Sequence, residues 1–193
     1  MQKPATTSQP VHRLIEERWS PRAFNGESIP KSDMDACFEA ARWAASCFNE
    51  QPWHFLVAHR EETTLFNEAL ECLVPANREW ACHSGVVVIA LVKDLFKMTG
   101  ERNAHAEYDT GQAVAQMTLQ AWSLGIVAHQ MGGFVAEEVL NRFEVPEGYR
   151  PIVAIAFGRQ GAAECLTPEK AEWEKAPRVR KTLDEVRQPF VCK

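Results

Sequence analysis

The chain has 193 residues, 46% of them apolar and 24% charged. That is enough for one sizeable core and is unlike a disordered or fibrous composition, so we expect a single domain over residues 1–193. The 21 Lys and Arg against 26 Asp and Glu leave a net charge of −5, which gives no support to a nucleic-acid binder that needs a basic face.

No apolar stretch approaches the length of a membrane span, and the polar N-terminus lacks a signal-peptide core. The sequence therefore reads as cytoplasmic, with no membrane partner. The six cysteines have no CxxC spacing, which favours buried reduced thiols over a disulfide framework and argues against a metal site at Cys72, Cys82 and His83.

Helical spacing from Val11 to Trp19 runs into Ser20-Pro21-Arg22, where the proline places the basic triplet at a helix end. Ser32 reads as an N-cap with Asp35 three residues on, opening a helix to about Ser46 with Met34, Cys37, Phe38, Ala41, Ala44 and Ala45 on its apolar face. A loop, Cys47 to Pro52, leads to a strand over Trp53 to His59 and a helix over Glu61 to Leu73.

Gly85 to Val92 is apolar throughout and predicts a central strand covered on both faces. Ala104 to Leu124, closed by Gly125, predicts a buried helix, followed by a short helix over Glu137 to Phe143 and a third strand over Arg150 to Phe157. From about Pro168 to Lys193, prolines among charges predict an extended tail. Helices and strands mix without regular βαβ alternation, which predicts an α+β fold.

Neither GxxxxGK[ST] nor GxGxxG after a strand is present. Arg18-Trp19-Ser20-Pro21-Arg22 instead offers two guanidinium forks and a hydroxyl, donors suited to a phosphate monoester, although such a pentapeptide also reads as a solvated basic turn.

Arg18-x-Ser20-x-Arg22, then Ser46-Cys47-Phe48-Asn49-Glu50-Gln51-Pro52-Trp53-His54-Phe55, resemble the two N-terminal motifs of nitroreductase-like flavoproteins. Tyr108-Asp109-x-Gly111, Leu124-Gly125 and Gly132-Gly133-Phe134 are similar to that family's central helix and flavin-contacting loop. The likeness spans residues 12 to 186. It implies a mostly antiparallel sheet flanked by helices, an intertwined homodimer with active sites at the subunit interface, FMN as cofactor and NADH or NADPH as electron donor.

Carried across residue by residue, the resemblance gives Arg18, Ser20, Arg22, Arg178 and Arg180 to the FMN phosphate. Ala45, Ser46, Cys47, Asn49 and Gln51 line the ring and ribityl chain from the second subunit. Asn77 reaches the pyrimidine edge, Arg78 and Glu79 are both left open for the ring's N1, and Gly132 and Gly133 pass close to the ring, with the Gly133 N–H facing N5. Cys47-for-Ser departs from the family's usual Pro-Ser-Ser.

The resemblance implies a ping-pong reductase for nitroaromatics, quinones or similar small conjugated acceptors, with no catalytic side chain. Dehalogenation, flavin fragmentation, dehydrogenation, or a flavin carrier or redox sensor stay open beside it. His54 and His129 are both candidate acids, of which His54, on a predicted strand, reads as a structural residue.

Overall fold

The computed structural model describes residues 2–192; Met1 and Lys193, the ends of the expected single-domain span, lie outside the described residues. Its centre is a sheet of β1 (Trp53–His59), β2 (Val86–Lys93), β3 (Val127–Met131) and β4 (Tyr149–Gly158), in the order β1-β2-β4-β3. Every pairing is antiparallel. Pro151 cannot donate to the ladder, and the register between β2 and β4 shifts at Ala90/Leu91, next to the Leu91–Pro151 pairing.

Alternation along the central strands builds two cores. Val87, Ile89, Leu91, Ala154 and Ala156 face one way, towards Phe66 and Leu70 of α3 (Thr63–Glu71), Trp80 of α4 (Pro75–Ala81) and Val139 of α6 (Ala136–Arg142). Val86, Val88, Ala90, Ile155 and Phe157 face the other way, towards α2 (Lys31–Arg42) and α5 (Ala106–Ser123). This double burial explains the unbroken apolar run in β2. Gly125, at φ +70°, turns the chain out of α5 into β3.

Several expectations are corrected. The N-cap of α2 is Pro30, not Ser32; a proline's fixed φ suits the residue that opens a helix. The helix ends at Arg42, because Ala44, though buried, packs from the following loop rather than from another turn. Arg150 to Phe157 belongs to the fourth strand in sequence, since β3 precedes it.

The stretch from Pro168 is not wholly extended. It opens with α7 (Pro168–Lys175), where Pro168 occupies the first helical turn, and carries the single-turn α8 (Leu183–Val186), opened by a reciprocal capping box between Thr182 and Glu185. Near the other end, α1 spans Arg13–Glu17. Among the described residues no helix is long and apolar enough to cross a membrane.

Candidate active site

Both chain ends meet over α5. A cavity of about 580 Å³ is lined by Arg18 and Ser20 just after α1, by Thr118 and neighbours on α5, by Gln130 of β3, and by Arg178 and Arg180 beyond α7. Arg178 spans the chain ends, its Nη1 donating to the carbonyls of Lys3 at 2.9 Å and Glu16 at 2.8 Å. Arg18 Nη1 donates to Ser20 Oγ at 3.4 Å, and Arg180 Nη1 to the carbonyl of Val179 at 2.8 Å.

These three guanidiniums bond hydroxyl and carbonyl oxygens, whereas Arg42, Arg78, Arg142 and Arg150 each have a carboxylate partner. Burial pushes the Arg18 guanidinium below its ordinary pKa, and the charges of Arg178 and Arg180 push the same way. Arg178 is lowered by burial and then by Arg180. Cations brought together against their own repulsion, with no carboxylate bonded to them among the described residues, have the charge and the donors to receive an oxyanion.

Arg22 stands apart. Its backbone N–H donates to the Glu174 carboxylate, and its guanidinium lies over the Trp173 ring, 5.7 Å from the centroid. Below the loop, His129 Nδ1 lies 3.0 Å from the carbonyl oxygen of Pro21. Burial first, and the Arg22 charge second, push this imidazole down to about 4, partly opposed by its backbone hydrogen bonds. His129, named with His54 as a candidate acid, is therefore a neutral strut.

The second motif forms a tight turn over Cys47–Asn49, anchored by Cys47 N–H donating to Asp109 Oδ2 at 2.9 Å. Ser46 Oγ accepts from Gln51 N–H at 3.0 Å, and Gln51 Nε2 donates to the Asn49 carbonyl. Phe48, Asn49 and Gln51 all adopt positive φ, at 51°, 58° and 49°. For residues other than glycine this costs on the order of 1–2 kcal/mol each, least for asparagine.

Ala45, Asn49 and Gln51 are exposed, and Phe48 projects to 88% exposure against the edge of Phe96. Asp109 opens α5 while Thr118 lines the arginine cavity. Nine residues of helix separate them by roughly 13 Å. In one chain the two motifs thus occupy different ends of α5.

Gly132 and Gly133 follow β3 three residues or fewer beyond Gln130, within roughly 10 Å of the cavity wall. The Gly133 carbonyl accepts from Val74 N–H at 3.2 Å and from Asn77 Nδ2 at 3.0 Å, bringing together two residues 56 positions apart. A Cβ on Gly133 would sit 2.6 Å from Asn77 Nδ2 and 2.9 Å from Val74 Cγ2, whereas one on Gly132 would meet nothing within 4 Å.

Arg78 is committed to Glu71 Oε2 at 2.6 Å and to the carbonyls of Glu71 and Leu73, and Glu79 to Lys170 at 2.6 Å. Both of these residues, which follow Asn77 in α4, therefore serve the fold. Thr118 and Gln130 line the cavity without any sequence signal, since each lies unmarked within a regular element.

The model of the nitroreductase family matches residues 15–159. A solved oxidoreductase containing FMN is 30% identical, with a TM-score of 0.90 over 97% of this chain and 96% of that one.

An uncharacterised 15.4 kDa protein from the ask 5′ region of Mycolicibacterium smegmatis is 40% identical over 87 residues, 45% of this chain and 58% of that protein. A protein of Methanothermobacter thermautotrophicus, provisionally named NADH dehydrogenase/NAD(P)H nitroreductase, is 24% identical over 86% of this chain and 87% of its own. With three quarters of its length matched and the fold shared almost end to end, the chain belongs to the nitroreductase family.

Proposed function

We propose that the chain is an FMN-dependent NAD(P)H oxidoreductase, acting as a homodimer on nitroaromatics, quinones or similar small conjugated acceptors. The observation that carries this reading is the convergence of Arg18, Ser20, Arg178 and Arg180, from opposite ends of the sequence, on one cavity. The donor set fits a phosphate monoester dianion: three guanidiniums and a hydroxyl, with their positive charge mutually unfavourable until an anion arrives. The FMN carried by the 30%-identical oxidoreductase supports the same reading.

When bound, FMN supplies the ring atom N5, which accepts and returns a hydride. The chain supplies position. Arg18, Ser20, Arg178 and Arg180 hold the phosphate, and Arg22 adds charge from the Trp173 side. Gly132 and Gly133 would bring backbone close to the ring and the Gly133 N–H would serve N5, while Asn77, which braces that backbone, would serve the pyrimidine edge. Ala45, Ser46, Cys47, Asn49 and Gln51 reach the ring from a second copy.

That division suits the separation of the two motifs along α5 and the exposure of Ala45, Asn49 and Gln51. The electron donor and the acceptor occupy one place in turn, which gives ping-pong kinetics and broad acceptor tolerance. The visible spectrum of the purified protein and chromatography of the released chromophore test this: one equivalent of FMN per chain and acceptor-dependent NAD(P)H oxidation are expected. A colourless protein that does not take up added FMN overturns it.

A further inference from the structure

Glu174 has a buried carboxylate, with the residue 1% exposed, on the last turn of α7. Its Oε1 accepts the N–H of Arg22 at 3.0 Å and of Ala23 at 3.1 Å, and Oε2 lies 3.1 Å from the same Arg22 N–H. Its own carbonyl accepts Lys3 Nζ at 2.7 Å. The next residue towards the N-terminus, Trp173, carries the Arg22 guanidinium on its ring. Two adjacent residues of α7 thus fix Arg22 at both backbone and side chain.

Burying a carboxylate is costly unless its oxygens are satisfied. Here two backbone N–H groups satisfy them, and the surrounding charge is positive: Lys3 feels Glu174 as an attraction and Arg178 and Arg22 as repulsions. The same carboxylate, outside the cavity lining itself, ties the segment that follows Arg18 and Ser20 to the helix that leads to Arg178 and Arg180. Ser20 lies two residues before Arg22, and Arg178 lies four residues after Glu174.

We infer that Glu174 is a positioning residue of the phosphate site, its carboxylate clamping the Arg22 and Ala23 amides so that Arg18 and Ser20 face Arg178 and Arg180. This rests on the FMN reading above. The clamp acts on the phosphate end alone, because no residue assigned to the flavin ring contacts Glu174. Its loss is therefore selective: it weakens a ligand with a phosphate and spares the same ring without one.

The test is Glu174→Gln in the full chain, titrated with FMN and with riboflavin by fluorescence quenching, together with amide hydrogen exchange at Arg22 and Ala23 in the flavin-free protein. Glutamine keeps one acceptor but sets an NH2 against the Arg22 N–H. We expect FMN affinity to fall roughly tenfold or more, riboflavin affinity to change less than about threefold, and the two amides to exchange faster.

Equal losses for both flavins, or an unchanged FMN affinity, overturn the inference and leave the FMN reading intact. A wild-type chain that binds neither flavin overturns that reading, and the inference with it. If Glu174→Gln does not fold, Glu174→Asp carries the same comparison, because it keeps the charge but withdraws both oxygens by one methylene; the same selective loss is expected, and its absence overturns the inference.

Discussion

The side-chain amide of Asn77 donates to the carbonyl of Gly133 at 3.0 Å, tying α4 to the turn beyond β3. The approach is so close that glycine at 133 is required by packing rather than by φ, since it is absent from the positive-φ glycines. Gly133→Ala is expected to cost about 1–3 kcal/mol through overpacking and to lower flavin retention. Gly132→Ala, with open space around its Cβ, is the control. Thermal unfolding and bound-flavin content of both variants decide it, and equal behaviour would sink the argument.

The unneutralised guanidiniums predict an anion-dependent stability. Inorganic phosphate is expected to raise the melting temperature of the flavin-free protein, and Arg18→Ala or Arg180→Ala to remove most of that rise. Each substitution should weaken FMN binding about tenfold, the loss of one charge-assisted hydrogen bond. Calorimetric titration checks it. Full FMN affinity in Arg180→Ala would detach the tail from the site.

His129 predicts a pH dependence whose sign is fixed. Its ordinary pKa is 6.5 and in the fold it is pushed down to about 4, so the folded state binds fewer protons than the unfolded chain across that window. Stability is therefore intact above pH 6.5 and declines as pH falls towards 4, by about 3 kcal/mol from this residue. His129→Asn should show a shallower decline over the same window. A wild-type melting temperature that stays flat from pH 7 to 4 contradicts the assignment.

Relief of backbone strain gives a prediction of the opposite sign. Gln51 holds φ 49° while its N–H donates to Ser46 Oγ, a bond that glycine keeps. Gln51→Gly should stabilise the flavin-free protein slightly, by about 0.5 kcal/mol, once the flexibility of glycine is set against the strain removed. If the strain serves to hold the loop for a second subunit, flavin affinity should fall in the same variant. A lower melting temperature would show that the loop is not strained.

What could be read from the residues divides along physical lines. β1, β2 and β4 announce themselves through apolar runs, and α5 through its apolar circumference. β3 does not, because Val-Ala-His-Gln-Met is short and carries a half-buried histidine whose fit depends on Pro21. α4 and α7 were hidden by Pro75 and Pro168, which break helices when met inside them but open these two.

In the site, Arg18, Ser20, Arg178 and Arg180 were legible because resemblance ties two distant motifs together. Glu174 was not. A glutamate in Ala-Glu-Trp-Glu-Lys looks like solvated surface, and only the packing of α7 against residues 22 and 23 turns it inward. The motif groups Arg22 with the other guanidiniums, while its side chain lies on Trp173 in the single chain.

The bonds from Arg178 to Lys3 and Glu16, 175 and 162 positions away, make the arginine cavity depend on segments synthesised far apart in time. During synthesis the sheet is complete at Gly158, yet another 22 residues must follow before Arg180 exists. At 5–20 residues per second that is a delay of roughly one to four seconds. A nascent chain can thus gather the strands of its two cores while still lacking Arg178 and Arg180, so an anion held by all three guanidiniums cannot template the earlier steps of folding.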